Sequence, residues 1–196
     1  MANTNFQVKN GLTVGNLTIT ASSANLVTSG TISVNSGNGA TAIVNGGTTG
    51  TGNIGAVGAV FNTVYATATT ALYADLAEVY SSDKNYPAGT VVIIGGQFEV
   101  TESTQDHDVR IAGVISEKPA YLMNSEAQGV AVALTGRVYC NVVGNIAKGD
   151  RLVSSTIAGV AQKLDETKYQ PGCIIGKALE DFTGTTGRIE VLVGRT

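Results

Sequence analysis

Charge is almost absent from the first part of this 196-residue chain. There are 12 basic and 15 acidic side chains, and of these only Lys9 precedes Asp75. All three prolines also lie beyond residue 70, whereas glycine and threonine are concentrated before it. The composition therefore divides the chain near residue 70 into two regions that we expect to differ in structure.

Other absences limit the classes of function. The net charge is −3, so the chain lacks the basic surface that nucleic-acid binding requires. No apolar run approaches the roughly 20 residues that a membrane-spanning helix needs. The first residues show no basic segment followed by an apolar stretch, so we expect no secretion signal. We therefore expect synthesis in a cytoplasm, no nucleic-acid partner and no membrane insertion.

Reactive side chains are few and widely spaced. Cys140 and Cys173 have no metal-ligand spacing and are expected to be small buried residues. The only histidine, His107, lies between two aspartates; an exposed turn is expected there, with a metal or acid–base site as the alternative. Asp75 and Glu78 would share a face of a helix, either as a solvated pair or as paired catalytic carboxylates. We assign no catalytic residue, no metal ligand and no cofactor.

Residues 1–65 show short apolar alternations separated by Asn-Gly and Gly-Asn pairs, which predict very short strands and tight turns. Each strand offers two or three modest apolar side chains, whereas every ordered residue costs about 1–2 kcal/mol of backbone entropy. A single chain recovers too little of that cost, so we expect neighbouring chains to order this region. We predict an extended fibre or anchoring region, rich in glycine, threonine and asparagine.

Residues 66–82 form the junction between the two regions. Apolar residues recur there at steps of three or four, which is the spacing of a helix face; they are Tyr65, Ala68, Leu72, Leu76 and Val79. Two alternatives remain open. The junction is either a short helix that packs on the following domain or on copies of itself, or a short connector that caps a β domain.

Residues 83–196 have normal surface charge and regularly spaced short apolar runs separated by turn residues. Several short strands at this spacing favour a β-barrel or sandwich over a parallel sheet with crossover helices. The fold class is therefore predicted to be mainly β, with this C-terminal domain forming a compact knob. The candidate strands are residues 90–94, 98–101, 109–116, 130–134, 137–143, 151–154, 159–164, 173–179 and 187–193.

Several strings of sequence resemble segments of tail-fibre and related virion proteins of cyanophages. They occur in the same order and at similar spacing as in those proteins. The strings are NFQVKNGLTVG at residues 5–15, NIG at 53–55, FNTVYAT at 61–67 and YADLAE at 73–78.

The C-terminal region resembles the β domain at the end of many phage appendage proteins. That domain is similar to the intramolecular-chaperone domains of the G2 peptidase family, some members of which cut themselves off after a trimeric fibre has assembled. The strings concerned are DLAE at 75–78, YPAGTVV at 86–92, RIAGVIS at 110–116, PAYLMN at 119–124, VALTGRV at 132–138, KGD at 148–150 and IGKALE at 175–180.

The resemblance implies a bacteriophage structural protein located in the virion, a short homotrimeric fibre or appendage. Its N-terminal part would assemble or bind other virion proteins, and its knob would cap the fibre and contact the host surface. A glycan contact is a further hypothesis, because several tyrosines would form a carbohydrate-binding face if they cluster; they are Tyr80, Tyr86, Tyr121, Tyr139 and Tyr169.

The alternative is a self-cleaving intramolecular chaperone that assists trimer formation. A chaperone of this kind must be cut near the junction, and Ser81, Ser82 and Asp83 form the polar loop where a cut is expected. Such a cut needs a nucleophile with a base within hydrogen-bond reach, and no such pair is evident in the sequence. We therefore favour the structural protein and expect no enzyme activity.

Overall fold

The computed structural model describes residues 70–194, together with residues 29, 31–33, 43, 54–55 and 58–64. The chain divides into two compact units, Met1–Val64 and Tyr65–Thr196. Most of the short strands predicted for residues 1–65 fall outside the described residues. The second unit is a β domain, so the predicted mainly β fold with a C-terminal barrel or sandwich is confirmed.

The described residues contain ten strands and one short 3₁₀ turn, Glu166–Lys168. Most of the apolar runs predicted as strands overlap a strand of the structure. The strands are β1 Asp75–Tyr80, β2 Val91–Ile94, β3 Val100–Glu102, β4 Ile111–Ile115, β5 Tyr121–Met123, β6 Val130–Ile146, β7 Arg151–Ser154, β8 Ala161–Lys163, β9 Ile174–Ala178 and β10 Phe182–Val193.

Five of these strands close into a barrel. β6 pairs with β10, β10 with β9, β9 with β7 and β7 with β8, all antiparallel. β8 returns to β6 through the parallel pair between Ala161 and Val142, which completes the ring. Closure removes the open edges that would otherwise be available for pairing with other chains.

The barrel interior is filled by the inward-facing residues of its strands. Successive residues of a strand point to opposite faces, so every second side chain of β6 and β10 enters the core. The alternating buried residues where these two strands pair include Val138, Cys140, Val142, Ile189, Val191 and Val193. The residues next to them in sequence therefore face outward; they include Arg137, Tyr139, Arg188 and Glu190.

β6 is 17 residues long and joins the barrel to a second layer of strands. Its first half pairs with β1 and β4, and β4 continues the sheet into β2 and β3. A second apolar cluster fills this part of the domain, formed by Tyr86, Val92, Val100, Ile115, Val130 and Val132.

β1 lies inside the segment predicted as a junction, and the helix alternative is wrong there. Its six residues pair antiparallel with β6, from Asp75 opposite Gly136 to Tyr80 opposite Val130, and β5 pairs with it in parallel. Its odd-numbered residues are buried and its even-numbered residues half-buried, which is the period of a strand. Pairing with two strands outweighs the local helical spacing, because strand preference depends strongly on tertiary context.

Candidate functional site

A cleft of about 320 Å³ lies beside the start of β1, and we call it the Asp75 cleft. One wall is the chain that leads into β1, residues 72–75, and another is the segment after β4, residues 116–118. The floor is the outer face of β6 and β10, with Arg137, Tyr139, Arg188 and Glu190. A cavity of this size lies at the small end of ligand-binding sites.

Asp75 is the most unusual residue of this cleft. It is only 6% exposed, and its side-chain atom Oδ2 has no hydrogen-bond partner. Burial raises the pKa of Asp75 above its ordinary value, and the Ser116 hydroxyl opposes that change. Buried polar groups are normally hydrogen-bonded, and the unpaired Oδ2 has almost no accessible surface, so Asp75 is an exception. Its perturbed pKa marks the cleft beside it as a candidate site.

The charged residues of the floor are paired with one another. Arg137 Nη1 lies 3.3 Å from Glu190 Oε2, and Arg188 Nη2 lies 3.7 Å from Glu117 Oε2. The Arg188 guanidinium also covers the Tyr139 ring, with Cζ 5.4 Å from the ring centre. The cleft therefore presents a flat aromatic and guanidinium surface surrounded by hydrogen-bond donors and acceptors.

We expect Asp75→Asn to stabilise the protein near neutral pH. Because the folded-state pKa of Asp75 is raised, the ionised carboxylate opposes folding above the unfolded pKa near 3.8. Asparagine removes that charge. The unfolding free energy of the variant should therefore exceed that of the native protein by an amount that grows as the pH rises above the unfolded pKa. Below it the acid is protonated in both states, and the gain should vanish.

Urea denaturation at several pH values measures this effect. Glu117→Gln is the matched control, because it removes a carboxylate from an exposed position on the same cleft. An Asp75→Asn variant that is less stable than the native protein at pH 7 would contradict the unpaired state of Asp75.

His107 lies in a turn, as predicted, but it is buried, so the predicted exposure is wrong. The Asp165 amide donates to His107 Nε2 over 3.1 Å, and His107 Nδ1 lies 2.5 Å from Asp106 Oδ1. The ring therefore fixes the turn to the segment around residue 165. Burial opposes ionisation of Asp106, but hydrogen bonds from Lys168 and His107 hold the pKa of Asp106 below its ordinary value. These contacts give His107 a structural role.

The paired-carboxylate hypothesis for Asp75 and Glu78 is also wrong. On a strand, residues three apart point to opposite faces, whereas on a helix they share one. Asp75 lines the cleft, and Glu78 instead accepts a hydrogen bond of 2.9 Å from the Tyr80 hydroxyl.

The structure separates the tyrosines considered for a carbohydrate face. Tyr86 is buried in the second apolar cluster and Tyr80 packs against it, whereas Tyr121, Tyr139 and Tyr169 are exposed. Only Tyr139 of these lines the Asp75 cleft. Sequence reasoning missed its neighbours Tyr73, Arg137 and Arg188, because only the pairing of β6 with β10 and the path into β1 bring them together.

The two cysteines are buried and unbonded, as expected. Burial raises the pKa of the Cys140 thiol to about 12, so Cys140 is not an activated nucleophile. The described ranges contain no group of three or more His, Cys, Asp or Glu side chains placed to hold a metal ion. Among those same residues, no helix is long and apolar enough to cross a membrane.

The loop after β1, considered above for self-cleavage, is bound to the domain. Glu99 Oε2 accepts hydrogen bonds from the Ser81 amide at 2.8 Å and from the Ser81 hydroxyl at 2.9 Å. Asp83 accepts a hydrogen bond of 2.6 Å from the Tyr86 hydroxyl. If the chain were cut in this loop, the segments on both sides of the cut would therefore remain hydrogen-bonded to the same domain.

The geometry defines a β-barrel domain with a small polar cleft on its outer face. Comparison with known proteins adds no family to this description, since no family model and no curated protein matches the chain.

Proposed function

We propose that this chain is a structural protein of a phage virion, a short trimeric fibre or appendage. Its N-terminal unit assembles the fibre and binds other virion proteins, and its C-terminal β knob caps the fibre and contacts the host surface. The location is the virion, after synthesis in the host cytoplasm, and the protein is not an enzyme. The proposal rests on the resemblance described above together with the following features of the structure.

The main observation is the exposure of apolar side chains in the first unit. Six such residues among the described positions are between 58% and 85% exposed in the single chain; they are Ile32, Ile43, Ile54, Val60, Phe61 and Val64. Apolar side chains left in water by one chain are covered when several chains associate, and closed rotational symmetry is the usual arrangement. A self-assembling N-terminal unit is therefore the arrangement that best accounts for this exposure.

The position of β1 supports an uncut chain over a self-cleaving chaperone. A cut at Ser81, Ser82 or Asp83 would leave β1 on the N-terminal fragment, although β1 pairs with both β5 and β6. Release of the remainder would then require breaking these pairs and exposing Ala77 and Val79, which are buried. The bound loop and the paired strand favour a domain that stays in the mature protein.

We expect the purified full-length chain to be a trimer. Trimers are the assembly that the resemblance implies, and association would cover the exposed apolar residues of the first unit. Multi-angle light scattering would give a mass about three times the 20.0 kDa of one chain. The variant Phe61→Ser combined with Val64→Ser should weaken the assembly, whereas the pair Ile94→Ser and Phe98→Ser, exposed in the knob, should not. A monomer at all concentrations would contradict the proposal.

A further inference from the structure

Both ring nitrogens of the buried side chain of His107 are hydrogen-bonded, and the partners fix its protonation. The Asp165 amide nitrogen lies 3.1 Å from Nε2, and an amide nitrogen only donates, so Nε2 must accept. The single proton of the neutral ring is therefore on Nδ1, which lies 2.5 Å from Asp106 Oδ1 and donates to it. The contacts thus require one neutral tautomer of the imidazole.

A second proton on the ring is incompatible with this arrangement. A protonated imidazole carries a hydrogen on each nitrogen, so Nε2 would direct an N–H group at the N–H group of Asp165. Two donors that face each other form no hydrogen bond, and a buried donor without an acceptor costs free energy. Protonation of His107 therefore requires that the Asp165 amide move away from the ring.

Two carboxylates beside the ring favour its protonation and stay ionised themselves. Burial opposes ionisation of Asp106, but hydrogen bonds from Lys168 and His107 hold the pKa of Asp106 below its ordinary value. Hydrogen bonds from the Thr167 hydroxyl and amide hold the pKa of Asp165 below its ordinary value as well. Their negative charges offset the cost of placing a positive charge on a buried ring.

The other charged groups near His107 are paired. Lys168 Nζ lies 2.8 Å from Asp106 Oδ2, and the hydrogen bond raises the pKa of Lys168, so the lysine keeps its charge at neutral and mildly acid pH. The remaining ion pairs on the packed elements are Arg110 with Asp108, Arg151 with Glu166 and Lys163 with Asp150. Histidine ordinarily changes charge between about pH 5 and 8, so the ring is the group expected to titrate here.

The chain that carries the Asp165 amide can move without uncovering the core. We call residues 165–169 the Asp165 segment; it contains the 3₁₀ turn Glu166–Lys168, and all of its residues are exposed. Besides the bond to His107, two ion pairs hold it to the domain, Lys168 with Asp106 and Arg151 with Glu166. Ion pairs at the surface contribute little, so the contact with the ring matters for closure.

We propose that His107 is a pH-sensitive switch, whose protonation releases the Asp165 segment from the barrel and whose deprotonation allows it to close again. The segment is closed near pH 8 and open near pH 5. In the open form the imidazolium keeps Asp106 as its partner, and water satisfies the Asp165 amide. The switch lies within the β domain and does not depend on the proposed function.

Nitrogen-15 NMR of the full-length chain tests the protonation of the ring. His107 is the only histidine, so labelling of histidine gives the signals of this ring alone. At about pH 8 we expect the neutral tautomer with its proton on Nδ1, and at about pH 5 a ring protonated on both nitrogens. A proton on Nε2 at the higher pH, or a ring that is still neutral at the lower one, would overturn the proposal.

Hydrogen exchange followed by mass spectrometry, corrected for the intrinsic effect of pH on exchange, tests the opening. The protection of the Asp165, Thr167 and Lys168 amides should fall by about tenfold or more between pH 8 and pH 5. The control is the Ala147 amide, which donates to Asp150 Oδ2 over 2.8 Å, an acceptor whose pKa is lowered and which stays ionised. Its protection should change by less than about twofold. Unchanged protection of the segment, or an equal loss at Ala147, would overturn the proposal.

Two variants separate titration from attachment. In His107→Gln the side-chain carbonyl accepts at every pH, so the protection of the Asp165 segment should differ by less than about twofold between the two pH values. Lys168→Gln removes an ion pair of the segment but keeps the ring, so protection should fall at both pH values while their ratio stays about tenfold. A tenfold pH effect in His107→Gln, or its loss in Lys168→Gln, would overturn the proposal. The measurements on the native chain decide it even if His107→Gln does not fold.

Discussion

A chain that begins at residue 71 is expected to fold and melt cooperatively, whereas one that begins at residue 81 is expected not to fold. The shorter chain lacks β1, whose residues pair with β6 and β5. It also loses Ala77 and Val79 from the interior and leaves the first half of β6 without this partner. We expect a cost of about 5 kcal/mol or more, which is comparable with the whole stability of many domains.

Circular dichroism recorded during heating measures the unfolding of both chains. Its near-ultraviolet signal comes from the tyrosines, because the chain contains no tryptophan. A third chain that begins at residue 75 retains all of β1 and should behave like the one that begins at residue 71. Addition of a peptide covering residues 71–80 to the shortest chain should restore part of the folded signal. Cooperative melting of residues 81–196 at the temperature of the longer chains would contradict the assignment of β1 to this domain.

Gly129→Ala is expected to destabilise the domain strongly. Gly129 immediately precedes β6, and a Cβ atom there would lie 1.9 Å from the carbonyl oxygen of Tyr80. Neither atom belongs to a flexible side chain, so the strands must move apart where Tyr80 pairs with Val130. We expect a loss of about 3 kcal/mol, at the upper end of overpacking effects, and a melting temperature lower by roughly 10 °C.

Gly184→Ala is the matched control for this substitution. A Cβ atom at Gly184 would meet only the Phe182 ring, at 3.0 Å, and that ring is half-exposed and can turn away. We expect a change within about 0.5 kcal/mol. Equal melting temperatures for the two variants would show that β1 and β6 do not approach each other as closely as described.

The barrel was predictable because its strands are short apolar runs bounded by turns, as in Arg151–Ser154 and Ile174–Ala178. The helix alternative across β1 was wrong, because the apolar residues at 72, 76 and 79 have helical spacing whereas the buried residues of β1 are the odd-numbered ones. Pairing with β6 decided between the two, and no local pattern contains that information.

β6 shows a second limit of sequence reasoning. The sequence predicted two strands there, residues 130–134 and 137–143, yet β6 continues through Thr135 and Gly136. Gly136 has a φ of 107°, a conformation that other residues rarely adopt, and a Cβ there would meet the Ala74 carbonyl at 2.3 Å. The glycine therefore allows the close approach of the chain before β1.

The candidate site was the least predictable part of the molecule. Asp75 was considered only with Glu78, and Tyr139 only with other tyrosines, because residues distant in sequence have no visible relation before folding. The cleft depends on the register that places Tyr139 opposite Glu190 and on the path of residues 72–75 into β1. A lone aspartate at the start of a strand gives no signal in the sequence that it will be buried without a partner.

Intact-mass spectrometry of purified phage particles tests the central claim most directly. If the chain is a virion structural protein that keeps its knob, particles should contain the uncut chain of 20.0 kDa in a copy number divisible by three. The copy number follows from calibration against the major capsid protein in the same sample. Complete absence of the chain from particles, or a fragment ending between residues 80 and 85 with the knob missing, would contradict the account.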